Sequence, residues 1–195
     1  SRIKRNIYYY DNSVKHIRVI VLNQFEDGQK SWIKAYMSQA QINWLINTLA
    51  STPNNYGIIV MMHSIECGIT KFNKFVEQNI VGSYISSMGI TGTPIKDIID
   101  CFISRGTIST TFTEEGKNGT ETIYINADFS SVDNSIEFIC YFNGHRHMDC
   151  VGYLTDCVNK QLNINTQCGL SIYSLPSSDN DGDAINDCYR GGKGT

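Results

Sequence analysis

The stretch from residue 17 to residue 63 constrains this chain more than any other. Residues 17–22 read Ile-Arg-Val-Ile-Val-Leu, a short β-branched run closed by Asn23 and a polar Glu26-Asp27-Gly28 turn. That is the pattern of a largely buried strand, central in its sheet. Ser38-Gln39-Ala40-Gln41 follows as a capping box, with Ser38 as N-cap and Gln41 three residues on, ahead of Ile42, Leu45, Ile46 and Leu49 at helical spacing. Trp44 lies beside that stripe and reads as an anchor against the sheet. After Pro53-Asn54-Asn55, residues 56–62 form a second apolar strand that runs directly onto His63. Strand, helix, strand in this order is a βαβ unit. Such units pair their strands in parallel, and open α/β sheets bind ligands beyond the carboxyl ends of the strands. His63 falls at that address, and the fold class expected is α/β.

The remaining segments extend the pattern. Residues 7–10 are strand-like. Thr93 and Pro94 suit an N-cap and first helical position, with Ile95, Ile98, Ile99, Phe102 and Ile103 as one apolar stripe. Residues 107–113 and 121–127 are β-rich and flank a polar, glycine-containing connection, which predicts a hairpin. Residues 136–142 form another strand, ending on Asn143-Gly144-His145-Arg146-His147. Residues 151–154, 162–165 and 170–173 are short strand candidates.

Composition excludes several classes. Hydrophobic residues make up 41% and charged residues 18%, enough apolar content for a core and too little charge for a disordered chain. Sixteen Lys and Arg against nineteen Asp and Glu give a net charge of -3, with no basic stripe of the kind that follows a nucleic-acid backbone. No apolar run reaches the roughly eighteen residues of a membrane span, and residues 1–5 do not open a signal core. The seven cysteines are scattered and include no C-x-x-C pair, so they read as reduced thiols, several of them buried, in a cytoplasmic protein. The Asp179-Asn180-Asp181-Gly182-Asp183 run misses the calcium-loop register, with Ala184 and Arg190 where Gly and Glu are needed. Asn118-Gly119-Thr120 fits a glycosylation acceptor without a secretory context. Both ends of the sequence read as cut within a domain.

Of the four histidines, His63, His145 and His147 follow the ends of hydrophobic strands, while His16 sits at the polar start of one. A single histidine after a strand is usually a hydrogen-bonded residue. Gly-His-Arg-His changes the balance, because an H-x-H spacing on extended backbone sends both imidazoles to one side. Two cations roughly 3.5–4 Å apart, as in two-metal hydrolytic sites, could each take one ring. Arg146 between them reads as a solvated side chain.

Taken in order, the helix start Ser38-Gln39-Ala40-Gln41-Ile42-Asn43-Trp44-Leu45, the strand ending Met61-Met62-His63-Ser64, and Asn143-Gly144-His145-Arg146-His147 resemble the later motifs of the calcineurin-like metallophosphoesterase superfamily. The similarity covers roughly residues 7–65 and 136–155, closest in character to phage- or prophage-borne members. It implies that residues 1–195 are the C-terminal portion of one such domain, with an insertion at about 70–136. The fold implied is part of a layered β-sandwich flanked by helices.

The resemblance further implies a metal-dependent phosphoester hydrolase in which a metal-bound hydroxide attacks phosphorus at a dinuclear site. Two divalent ions, manganese, iron or zinc, would be held in the intact protein, with His63 and His145 on one and His147 on the other. The family's D-x-H, G-D and G-N-H motifs, which supply the remaining ligands, have no counterpart here. Gly182-Asp183 lies after the histidine motif, in the wrong order. The partners implied are a phosphoester substrate and the missing N-terminal portion of the same domain. This segment alone is expected to bind metal weakly and to be inactive. Two other readings stand beside it. One is a non-catalytic structural or interaction protein that keeps the fold. The other is a mononuclear zinc module using the same three histidines with a cysteine such as Cys67 or Cys150.

Overall fold

The computed structural model describes residues 7–25, 36–63, 69–72, 77–80, 90–91, 93–116, 119–144 and 150–165. The βαβ unit forms as its pattern requires. Strand β2 (Ile17–Val21) leads to helix α1 (Gln39–Ala50) and then to β3 (Gly57–Met61), and β2 and β3 pair in parallel from Ile17 with Gly57 to Val21 with Met61. Ser38 caps α1 by accepting the Gln41 N–H on its hydroxyl at 3.2 Å. The side chain of Gln41 serves elsewhere. Its carboxamide accepts from Asn23 N at 2.8 Å and donates to Asn23 O at 2.8 Å, tying the helix start to the end of β2. Ile42, Leu45, Ile46 and Leu49 are buried, and Trp44 packs at the margin of the core with its ring 6.4 Å from that of Tyr9.

The main sheet has eight strands among the described residues, in the order β1-β2-β3-β9-β11-β10-β4-β5. Here β1 is Tyr8–Asn12, β4 Ile69–Phe72, β5 Glu77–Ile80, β9 Glu137–Asn143, β10 Cys150–Leu154 and β11 Leu162–Asn165. Strands β2, β3, β9 and β11 run parallel, while β1, β10, β4 and β5 are antiparallel to their neighbours. Strand β2 is therefore next to the edge and not central, because the chain places the β1 hairpin on its outer side. Residues 170–173 lie outside the described part.

A second, three-stranded sheet joins β6 (Ile90–Thr91), β7 (Thr107–Gly116) and β8 (Gly119–Asp128). The expected hairpin is β7 with β8, paired over their full length. Helix α2 (Pro94–Ile103) precedes it. The Thr93 hydroxyl at its start donates to Asp97 at 3.1 Å and makes no cap to the backbone, and Ile95, Ile98, Ile99 and Phe102 are buried. The architecture is thus mixed α/β, sheet-rich, with few helices. No helix among the described residues is long and apolar enough to cross a membrane.

The two faces of the main sheet differ. Ile20, Val60, Tyr141 and Asn163 form one row across four strands, all buried in the core shared with α1, α2 and the hairpin. On the opposite face Tyr8, Val21, Met61, Phe142, Ile164 and Val151 form a row across six strands. Tyr8 is 59% exposed, Met61 42% and Val151 44%. Strand β11 inverts the usual pattern, since Asn163 and Asn165 face inward while Leu162 and Ile164 are only half-buried. Parallel sheets ordinarily have both faces covered.

Candidate functional site

The carboxyl ends of β2, β3 and β9 meet at one edge. Backbone bonds extend the pairing past the strand ends, from Leu22 N to Met61 O at 2.9 Å, Met62 N to Phe142 O at 3.0 Å and Gly144 N to His63 O at 3.1 Å. The last of these joins the residue after β3 that carries an imidazole to the residue immediately before His145. A cleft of about 540 Å³ opens there, lined by Val21, Leu22, Met61, Met62, His63, Phe142 and Asn143. His63 is exposed on this cleft, and its ring meets Phe25 edge to face at 5.2 Å between centroids.

The sequence expectation for His63 thus corresponds to a strand-end position at an open cleft. His145, Arg146 and His147 lie outside the described residues, as do Cys67 and the run from Asp179 to Asp183. Among the described residues no group of three or more His, Cys, Asp and Glu could hold a metal ion, and the described lining of the cleft contains no carboxylate. His16 belongs to the opposite edge of the sheet. It occupies a left-handed turn, φ 51°, before β2 and stacks on Tyr56 at 5.4 Å.

The described cysteines are not at the cleft lining. Cys101 and Cys140 are buried, and both thiols are held above their ordinary pKa, Cys140 by burial and Cys101 by burial and then by the negative charge of Asp128. The backbone of Cys150 pairs with Asn165, itself paired with Asn143, so β10 begins at the same edge.

Sequence reasoning missed the polar ladder behind the cleft. The Tyr141 hydroxyl donates to Gln161 at 2.5 Å, Gln161 donates to Lys96 O at 3.2 Å, and Asn143 Nδ2 donates to Asn163 Oδ1. Gln161, Asn163 and Asn165 are all buried. Their spacing of two residues was visible, but period alone reads polar residues as the solvent face. Scans against protein-family models and searches of curated proteins and of solved structures find no match to this chain.

Proposed function

We propose that this chain is the histidine-bearing side of a dinuclear, metal-dependent phosphoester hydrolase of the calcineurin-like metallophosphoesterase type. The observation that carries the reading is the bond from Gly144 N to His63 O at the carboxyl edge of parallel strands, which ties the first histidine of the motif series to the start of the Gly-His-Arg-His element. His63, with His145 and His147 from the adjoining sequence, offers imidazole lone pairs as metal ligands. When bound, two divalent cations supply Lewis acidity toward phosphoryl oxygens and activate a water as nucleophile. The described lining offers one imidazole, that of His63, and no carboxylate. The bridging carboxylate then comes from polypeptide carrying D-x-H, G-D and G-N-H motifs.

The six-strand apolar row supports the same reading. A face built of Tyr8, Val21, Met61, Phe142, Ile164 and Val151 is suited to a second β-layer, and a layered sandwich provides one. That layer is the proposed source of the carboxylates. The segment at about 70–136, expected as an insertion, then shapes substrate choice.

Incubation with manganese and a chromogenic phosphodiester tests the proposal. The chain alone gives no turnover above the metal blank. A longer reading frame with the three upstream motifs gives turnover that His63→Ala removes. Robust turnover by the chain alone would show the carboxylate side to be unnecessary, and turnover of the longer protein unaffected by His63→Ala would overturn the assignment. The register of Cys150 at the same edge favours one second reading, a mononuclear zinc module. Tight stoichiometric zinc in the isolated chain, with unfolding on chelation, would decide for that module.

A further inference from the structure

We propose that Asn163 is a positioning residue for the junction between His63 and Gly144, acting through Asn143. This rests on the reading of His63 as a metal ligand. Asn143 is the last residue of β9 and lies between the two backbone bonds that hold the segment at His63, Met62 N to Phe142 O and Gly144 N to His63 O. Its side chain turns into the core, where it is 5% exposed and donates from Nδ2 to Asn163 Oδ1. Asn163 is fully buried on β11, and its Nδ2 has no hydrogen-bond partner among the described residues.

Packing alone is a poor reason for this pair. A buried donor without a partner carries its whole desolvation cost, and two apolar side chains of the same shape would avoid it. What the carboxamides add is direction. The bond fixes the end of β9 laterally against β11, at the residue whose flanking backbone groups grip the His63 segment from the β3 side. The pair between Tyr141 and Gln161 is an internal control. It joins β9 to the residue immediately before β11, two residues earlier along both segments, and lies away from the His63 junction.

The test measures hydrogen exchange of the Gly144 amide in the metal-free chain and manganese-induced broadening of the His63 ring signals. Asn163→Leu raises Gly144 exchange by about tenfold or more, while Tyr141→Phe leaves it within about twofold, a difference expected of local and not global opening. Should the leucine variant not fold, Asn163→Ser, too short to reach Asn143, is read in the same way. Gly144 exchange that follows global stability equally in the Asn163 and Tyr141 variants, or does not change, overturns the positioning role. Retained exchange effects without any broadening of His63 by manganese would sink the metal reading and leave the geometric coupling intact.

Discussion

Met37 donates its backbone N–H to Glu114 Oε2 at 2.7 Å across seventy-seven residues of sequence. Tyr36 adds a second tie, its hydroxyl donating to Glu121 at 2.8 Å, and Gln39 a third, exchanging bonds with the backbone of Tyr124. The β7–β8 hairpin therefore holds the segment that enters α1, and α1 in turn fixes the end of β2 through Gln41 and Asn23. The hairpin is coupled to the strand ends that frame the cleft.

Removing that anchor has a defined cost. Met37 and Glu114 are both fully buried, so Glu114→Ala leaves the Met37 N–H without its acceptor and lowers stability by about 1–3 kcal/mol. Glu114→Gln retains an oxygen at the same reach and loses less. Urea denaturation of the two variants decides the matter, and equal losses would show that the bond to Met37 is not the cause.

Gly57 begins β3 where space is short. A Cβ there would come within 2.3 Å of Ile139 Cδ1 and 2.9 Å of its Cγ1. Ile139 is 39% exposed and can swing outward, so Gly57→Ala falls near the lower end of the overpacking range, about 1 kcal/mol. In an Ile139→Ala background the penalty disappears. A double-mutant cycle measures this coupling, and an unchanged penalty would mean that the contact with Ile139 is not responsible.

The buried thiols predict an alkaline limit. Burial raises the pKa of Cys140, and burial followed by the charge of Asp128 raises that of Cys101. A folded-state pKa above the unfolded one means that the folded chain holds more protons between the two values. The stabilising contribution is complete below the ordinary thiol range and is lost as pH rises through the raised values. Stability therefore declines above about pH 8.5, and Cys140→Ala makes that decline shallower. Alkylation of Cys101 and Cys140 by iodoacetamide at pH 8, followed residue by residue, is slow in the native chain and fast in urea. A native rate equal to the denatured one would contradict the burial argument.

Arg18 is the remaining anchor of the βαβ unit. It is 3% exposed, pairs with Asp11 through two bonds of 2.7 Å, and donates to Thr48 O at 2.7 Å near the end of α1. Its guanidinium also lies 4.3 Å from the centroid of the Tyr9 ring. Arg18→Met takes both guanidinium bonds from the Asp11 carboxylate and one of the donors from Thr48 O, which keeps those of the Ser51 and Thr52 hydroxyls, and costs about 1–3 kcal/mol. Asp11→Asn, which retains one acceptor oxygen, costs less. A thermal scan that ranks the two variants in the opposite order would place the weight on Asp11 and not on the carbonyl at Thr48.

The sequence by itself determined the local elements and the address of His63. The β-branched run at 17–22, the Ser38 cap and the stripe of Ile42, Leu45, Ile46 and Leu49 are written in neighbouring residues, where propensity and periodicity act directly. Parallel pairing of β2 with β3 follows from the helix between them, and the carboxyl edge follows from the pairing. Only the tertiary structure decided which surfaces are covered. It set β2 beside an edge hairpin, turned the Gln41 carboxamide to Asn23 instead of back along its own helix, and buried Asn163 and Asn165 while leaving Leu162 and Ile164 half-buried. Gln161 and Asn163 are buried where β9 presents them with hydrogen-bond partners. Tyr141 and Asn143 lie twenty residues from Gln161 and Asn163, so spacing along β11 could not reveal those partners. The His63 and Gly144 junction depends on both: the sequence put each residue just past a strand end, and the sheet order made those strands neighbours.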